Sequence, residues 1–465
     1  MKYFLLTLGC QMNISDSERV VRVLHENGFR QAEREEDAQL LGILSCSVRQ
    51  KAIDKVYSRI SRWNKWKNKK SLLTFVTGCI LPEDREKFLK LFDLVFPVSE
   101  LNEFPEMLRQ YGVVTSFSHQ HREHVKHTPL PSMTPSPAVI WKGMKEMNIH
   151  IEDFWDIRPE YESDFEAYVP IQNGCDKFCT FCAVPYTRGR EVSRSSAEIL
   201  EEVEKLIQND YKSITLLGQN VNSYGLDKKG EELNFAQLLR EIGEMGNRSG
   251  KEFWVYFTSP HPRDMSFEVI DIIAQYPCLA RQIHLPLQSG DDQVLIRMNR
   301  KHSVAKYLEI ANYIREKIPQ VTLFTDIIVG FTGETDAQFE NTKKIMELLK
   351  FNMAYIAMYS PRPGAASSRW EDDVPIQKKK ERLHILSETL RKYAYEYNKQ
   401  LIGQKVKVLV TGRDRKTGYL SGNTEGRIVV RFPSDNEYLI GKIIDLEITS
   451  ASELSVEGAL VYEKV

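Results

Sequence analysis

Three times in the first eighty residues an apolar run stops at a cysteine: Lys2 to Leu8 before Gly9-Cys10, Leu40 to Leu44 before Ser45-Cys46, and Leu72 to Thr77 before Gly78-Cys79. Short apolar runs alternating with helical patterns are the signature of a mostly parallel sheet. Strands are expected near 2 to 8, 40 to 45 and 72 to 77. Parallel pairing then delivers Cys10, Cys46 and Cys79 to one edge of the sheet, the carboxyl edge where open α/β sheets gather ligands. Three unrelated buried cysteines would not explain three matching positions. The segment Ser15-Asp16-Ser17-Glu18 is expected to supply a capping box for the first helix.

At 465 residues the chain exceeds what a single core usually serves, so two or three domains are expected. Residues 1–115 form the first. From about 116 the pattern breaks into His119, His121, His124 and His127 and a Pro-rich stretch, Pro129 to Pro137; 116–165 is expected to be a linker. Nothing there fixes the histidines in one geometry, so a solvated stretch is favoured over a metal site. The aromatic and acidic segment from Phe154 to Phe165 is expected to pack over a neighbouring domain. From 166 to 400 a second βα series has strand candidates near 167 to 172, 213 to 217, 253 to 257, 281 to 287, 321 to 329 and 353 to 359. Helical patterns lie between them at 195 to 209, 234 to 245 and 336 to 349. Six parallel strands with outer helices suggest an incomplete barrel whose active face is at the strands' C-terminal ends. Pro375 opens a long amphipathic helix to about Gln400. Residues 401–465 look all-β, with short strands around Val406 to Val410, Ile428 to Val430, Ile443-Ile444 and Leu446 to Ile448, which suits a small barrel. The fold class is therefore α/β: a parallel-sheet domain, a partial (β/α)6 barrel and a closing all-β barrel.

Just after the first strand of the second series comes Gly174-Cys175-Asp176-Lys177-Phe178-Cys179-Thr180-Phe181-Cys182. Thiolates ligate iron–sulfur clusters, and three of them leave the fourth iron of a four-iron cluster open to an outside ligand. A structural zinc site would require a fourth Cys or His in range, and the loop supplies none. Polar residues then follow the strands: Gln219 and Asn220 after the second, Ser259 and Arg263 after the third, Gln288 after the fourth, with Asp326 inside the fifth. One such residue is more often a turn former; their common placement on one face marks the group, with Phe181, as the expected cofactor contacts. Gly330 and Gly333 are expected to allow close backbone approach to the cofactor. The chain has seven cysteines; Cys278, without a partner nearby, reads as a small buried apolar residue.

A net charge of -1 names no partner. Locally, Arg59, Arg62, Lys65, Lys67, Lys69 and Lys70 with Trp63 and Trp66 have the composition of an RNA patch, since aromatics stack bases and cations hold phosphates. A solvated helix end is as good a reading. Lys378, Lys379, Lys380, Arg413, Arg415, Lys416 and Arg427 are the stronger RNA candidates. The amino terminus reads as a first strand, not a signal peptide. No apolar stretch approaches the roughly 20 residues of a membrane span; a cytoplasmic protein without membrane contact is expected.

The CxxxCxxC loop resembles the signature of radical S-adenosylmethionine enzymes, down to the aromatic Phe181 before the last cysteine. The order of the two cysteine sets and the closing domain, which looks like an RNA-binding TRAM module, resemble the methylthiotransferase family over nearly the whole chain. Leu8 to Asn13, Cys46 to Ala52, Cys179 to Glu191 and Leu217 to Asn222 are most similar to its tRNA-modifying branch. Departures are Leu44-Ser45 for the usual Asn-Thr, Thr77-Gly78 for Gly-Gly, an inserted Pro260 and Thr332 for proline. The resemblance implies two 4Fe-4S clusters, a radical-generating one on Cys175, Cys179 and Cys182 and an auxiliary one on Cys10, Cys46 and Cys79. It implies two molecules of S-adenosylmethionine per turnover, one to methylate sulfur on the auxiliary cluster and one to make the radical. The implied substrate is tRNA bearing N6-isopentenyladenosine at position 37, methylthiolated at C2, with an electron donor such as flavodoxin or ferredoxin and a monomeric chain. The alternatives are the same chemistry on threonylcarbamoyl-adenosine or on a ribosomal protein, which Gln11-Met12-Asn13 disfavours, and a non-catalytic iron–sulfur RNA sensor.

Overall fold

The computed structural model describes residues 1–47, 50–111 and 150–461; the histidine cluster and the Pro-rich stretch lie outside the described residues. Strands β1 (Lys2–Thr7), β2 (Arg30–Gln31), β3 (Leu40–Cys46), β4 (Leu73–Cys79) and β5 (Leu94–Val95) form one parallel sheet in the order β2-β1-β3-β4-β5. Every residue of β3 and β4 is buried, as expected of parallel strands covered on both faces. One apolar layer is built on Tyr3, Phe75, Phe96 and Phe104 and takes in Ile151, Phe154 and Trp155. The other is built on Ile43, Val56, Trp63 and Val76. The aromatic segment near residue 154 thus packs onto the first sheet.

The first helix, Gln11–Glu26, begins five residues earlier than a cap at Ser15 requires. Cys10 is its N-cap, in extended conformation and without a side-chain cap bond. Ser15, Asp16, Ser17 and Glu18 sit inside the helix and are all buried, because this face lies against the next domain. The Ser15 hydroxyl donates to the Tyr168 carbonyl at 3.2 Å, and the Glu18 carboxylate accepts from the Glu162 N–H at 3.3 Å.

Strand β6 (Glu166–Pro170), the short antiparallel pair β7 (Gln172–Asn173) and β8 (Val192–Ser193), then β9 (Ser213–Leu217), β10 (Trp254–Phe257), β11 (Gln282–His284), β12 (Thr322–Val329) and β13 (Met353–Met358) make the second unit. Its six parallel strands run β6-β9-β10 and β11-β12-β13. Backbone bonds bridge the halves, Val255 N–H to Cys278 O at 2.7 Å and Ala280 N–H to Val255 O at 2.9 Å. Helices Ser196–Gln208, Phe235–Ser249, Val304–Lys317 and Asp336–Leu349 lie outside. Their apolar faces and the strands share one core, from Ala167 to Leu390, in which Cys278 is buried. The partial (β/α)6 barrel anticipated from the apolar spacing is present.

Helix Ile376–Gln400 leads to β14 (Lys405–Arg413), β15 (Tyr419–Thr424), β16 (Val429–Pro433), β17 (Ile443–Ala451) and β18 (Ser455–Leu460), a closed barrel ordered β14-β15-β16-β18-β17. The two short strands expected at 443 to 448 are one continuous strand. This small barrel docks at the N-terminal ends of the larger barrel's strands. There the Tyr256 hydroxyl donates to Glu425 O, Thr322 Oγ1 donates to Gly426 O, and Arg281 N–H donates to the Glu425 carboxylate. Among the described residues no helix is long and apolar enough to cross a membrane.

Candidate active site: two cysteine triads at facing edges

Cys46 and Cys79 end neighbouring strands and are register partners across β3 and β4. Cys10 reaches the same edge through Gly9, whose φ of +117° is open to glycine. A Cβ at Gly9 would stand 2.8 Å from the Cys46 Cβ and 3.2 Å from its Sγ. The missing side chain is what lets the first turn close over the second cysteine. Cys46 and Cys79 are buried and Cys10 is exposed, at the N-terminus of a 16-residue helix whose dipole favours negative charge. Burial pushes the Cys79 thiol up to about 12, against the pull of Arg188.

The other triad lies on the loop after β7. Cys175 and Cys179 are buried and Cys182 half-buried; burial pushes the thiols of Cys175 and Cys182 up to about 12. Donors converge on the sulfurs: Arg300 Nη1 on Cys179 Sγ at 3.5 Å and Val184 N–H on Cys182 Sγ at 3.5 Å. The loop is held from several sides. Thr180 N–H donates to Met298 O at 3.1 Å, Asn299 Nδ2 donates to Phe178 O at 2.9 Å, and Lys177 Nζ pairs with Asp264 at 2.7 Å with both side chains buried. Phe178 has φ +48°, and Ser259, Gln288, Asn299 and Lys301 also have positive φ. Left-handed backbone at non-glycine residues costs on the order of 1–3 kcal/mol each and persists where surroundings impose it, commonly at functional sites. Here five such positions sit along one rim.

The donor sets fit iron–sulfur clusters. Each triad offers only thiols, partly buried, with N–H groups aimed at the sulfurs, which is how proteins hold and tune such clusters. Neither is gathered around a single ion, since among the described residues no three Cys, His, Asp or Glu side chains are close enough to hold one.

The remaining expected contacts distribute unevenly. Gln219 Oε1 accepts from Gly174 N–H at 2.5 Å, so it braces the cluster loop. Asn220 is buried, its Nδ2 on Ser223 Oγ at 2.8 Å and on Asp264 Oδ2 at 3.0 Å, with Oδ1 unpartnered. Ser259 and Arg263 are exposed at the rim, Arg263 pairing with Asp264 at 3.2 Å. Gln288 N–H donates to Asp326 O at 2.8 Å, and the Asp326 carboxylate is 3.2 Å from His284 Nε2. Phe181 meets Phe331 edge-on at 6.5 Å. The expectation for Gly330 is not met: a Cβ there would lie 2.4 Å from Lys379 Cγ, so a protein side chain fills the approach.

That contact also removes Lys379 from the RNA candidates. It is buried, with Nζ on Tyr359 O at 3.1 Å and on Asp372 at 2.5 Å. Lys378 pairs with Asp336 at 3.3 Å, and Lys380 is exposed. Arg427 faces the larger barrel, 3.9 Å from the Tyr256 ring centroid and 3.3 Å from Thr215 Oγ1, so it docks the terminal domain. Arg413 and Arg415 are exposed, Arg413 pairing with Glu437, while Lys416 lies 3.7 Å over the Tyr419 ring. In the first-domain patch Trp63 is buried with Nε1 on Glu35 at 2.8 Å, Arg59 and Arg62 pair with Glu35, and Lys67 pairs with Asp93 at 2.7 Å. These groups are committed within the fold.

Sequence reasoning missed Arg188. Six residues beyond Cys182, it is 5% exposed, with Nε on Cys79 Sγ at 2.9 Å and Nη2 on Asn13 Oδ1 at 2.9 Å and Asp16 Oδ2 at 2.6 Å. Burial disfavours its charge, but Asp16 and the Cys79 sulfur more than offset this and raise it above the usual arginine value. It missed His261 too, buried with Nδ1 accepting from Arg263 N–H at 3.1 Å and Nε2 unpartnered. Burial and the charge of Arg300 hold that imidazole neutral, far below the ordinary histidine range.

A partial (β/α)6 barrel with a three-thiol loop at the C-terminal ends of its strands defines a radical S-adenosylmethionine enzyme, and the Radical SAM superfamily model matches residues 169–346. An "Uncharacterized protein family UPF0004" model matches residues 2–97, and a TRAM domain model residues 399–461. The chain is 36% identical to a "tRNA-2-methylthio-N(6)-dimethylallyladenosine synthase" of Marinomonas sp., covering 99% of this chain and 97% of that one. It is 37% identical to the protein of the same name from Acetivibrio thermocellus, covering 99% and 91%. The chain belongs to the tRNA-2-methylthio-N(6)-dimethylallyladenosine synthase family of radical S-adenosylmethionine methylthiotransferases. Iron–sulfur and S-adenosylmethionine chemistry come with that membership. Among solved structures, the radical S-adenosylmethionine methyltransferase TsrM from Kitasatospora setae shares the fold at TM-score 0.50 and 13% identity, covering 90% of this chain and 77% of that one.

Proposed function

We propose that this chain adds a methylthio group to C2 of N6-isopentenyladenosine at position 37 of tRNA, using two 4Fe-4S clusters and two molecules of S-adenosylmethionine per turnover. The observation that carries the reading is the pairing of two all-thiol triads, one at the carboxyl edge of the first sheet and one on the loop after β7, with Arg188 reaching from just beyond the second to the Cys79 sulfur of the first. When bound, the group on Cys175, Cys179 and Cys182 supplies the electron that splits S-adenosylmethionine to a radical, and the group on Cys10, Cys46 and Cys79 supplies a sulfur to be methylated and transferred. The chain's own residues bind, orient and exclude water. Gln219 and Lys177 fix the cluster loop against the strand ends, and Arg300 directs its charge to Cys179. His261, neutral and with a proton on Nε2, is a buried donor at the rim for an oxygen or nitrogen of a bound ligand. Exposed Lys380, Arg413, Arg415 and Lys416 offer phosphate contacts. In this reading the enzyme works as a cytoplasmic monomer and draws electrons from a flavodoxin or ferredoxin.

Nucleoside analysis of tRNA from cells lacking the gene tests the reading: the methylthio-isopentenyl nucleoside is expected to disappear and its unmodified precursor to accumulate. Unchanged levels overturn it. Loss of a methylthiolated threonylcarbamoyl nucleoside instead transfers the activity to that substrate.

A further inference from the structure

We infer that Arg188 is a positioning residue for the auxiliary cluster, tying the sulfur of Cys79 to the loop that carries the other triad. The inference rests on reading Cys10, Cys46 and Cys79 as a cluster site. Its guanidinium makes contacts on two domains: Nε donates to Cys79 Sγ, Nη2 to Asn13 Oδ1 and Asp16 Oδ2, and Nη1 to Asn173 Oδ1 at 3.3 Å. Its backbone is held as well, Asn173 Nδ2 donating to Arg188 O at 3.0 Å. Three of these acceptors define a fixed plane for the fork, which a single charge on a flexible stem does not match.

The geometry gives Arg188 two effects. It delivers an N–H and a positive charge to one ligand sulfur, and hydrogen bonds to cluster sulfurs favour the reduced, more negative form and so raise the potential. It also sets distance. Arg188 ends the short helix Val184–Arg188, which starts two residues after Cys182, so the residue that reaches Cys79 is fixed by one helical turn to the last cysteine of the other triad. Asp16 orients the fork. Asn13 does so as well, and it ties the edge together: its Nδ2 donates to Leu8 O at 2.6 Å and to Ser45 O at 2.8 Å, so the strand ends leading to Cys10 and Cys46 share one amide. A plain interdomain ion pair would need the Asp16 contact alone; the Nε bond to Cys79 is what points to the cluster.

The test uses the full chain carrying Cys175→Ala, Cys179→Ala and Cys182→Ala, so that only the auxiliary site can hold iron. The parent of this series is expected to bind about four irons; a parent that binds none overturns the cluster reading itself, and the inference with it. In a parent that binds iron, Arg188→Gln is expected to lose iron to a chelator about 10–100-fold faster, and the midpoint potential of its cluster is expected to shift negative. Arg188→Lys, which keeps the charge, is expected to recover the potential in part. Asp16→Asn, which loosens the fork but keeps the guanidinium, is expected to speed iron loss by less than Arg188→Gln does, and it serves if Arg188→Gln fails to fold. Potentials and chelator rates equal to the parent's in the folded variants overturn the inference, because a purely structural tie would lower thermal stability without moving the potential.

Discussion

Gly9 and Cys46 approach so closely that a Cβ on the glycine would lie 2.8 Å from the Cys46 Cβ, and the glycine backbone is left-handed at φ +117°. Gly9→Ala therefore meets both a forbidden contact and backbone strain, costing about 1–3 kcal/mol. Thermal unfolding should register that loss. Iron analysis should show the auxiliary cluster lost selectively, with S-adenosylmethionine cleavage retained.

Separate triads predict separable activities. Cys10→Ala is expected to leave 5′-deoxyadenosine formation measurable while abolishing methylthio product. Cys179→Ala is expected to abolish both, because without the radical site no hydrogen is removed from C2. Chromatography of the nucleoside and of 5′-deoxyadenosine from one reaction gives the comparison; equal loss in the two variants contradicts the division.

Burial lifts the Glu18 carboxyl to about 7 at the contact between first sheet and barrel, and its Oε2 has no partner. A carboxyl raised from 4.5 in the unfolded chain binds more protons when folded, so stability falls as pH rises from 4.5 through about 7. Above that window the penalty is at most about 3 kcal/mol. Glu18→Gln is expected to raise the unfolding temperature at pH 8 and to change it little at pH 4. A variant that stabilises equally at both values would rule out ionisation of Glu18 as the cause.

The terminal domain's cations divide by role. Arg415→Ala should weaken tRNA binding and reduce the slope of log affinity against log salt by slightly less than one, the signature of one lost phosphate contact. Arg427→Ala should leave that slope unchanged and lower the unfolding temperature, because its guanidinium lies on Tyr256 rather than on solvent. Filter binding across a salt series, with calorimetry on the same proteins, distinguishes them.

The sequence made the strands, the cysteine edges and the partial barrel readable because apolar period and cysteine placement are local patterns repeated at each element. Charged residues were harder. Ser15 to Glu18 carry a cap's residue types, yet Asp16, Ser15 and Glu18 reach Arg188, Tyr168 and Glu162, more than 140 positions away. Nothing local distinguishes a cap from a buried interface. Lys378, Lys379 and Lys380 read alike, but successive helix residues point about 100° apart, and only the middle one turns inward over Gly330. Arg188 was hidden for the same reason: a buried arginine is defined by acceptors on other segments.

The docking of the terminal barrel carries a geometric consequence. Glu425, Gly426 and Arg427 close the floor of the larger barrel, at Thr215, Tyr256 and Thr322, whereas the cysteines stand at its opposite rim. The eight residues of β12 span about 26 Å at 3.3 Å each. On the proposed reading, an RNA held by the exposed cations of the lower module would have to run up the outer wall before one base could fold over the rim. The enzyme would then act as a caliper with a fixed jaw, admitting a nucleotide by its distance from the grip as well as by its chemistry.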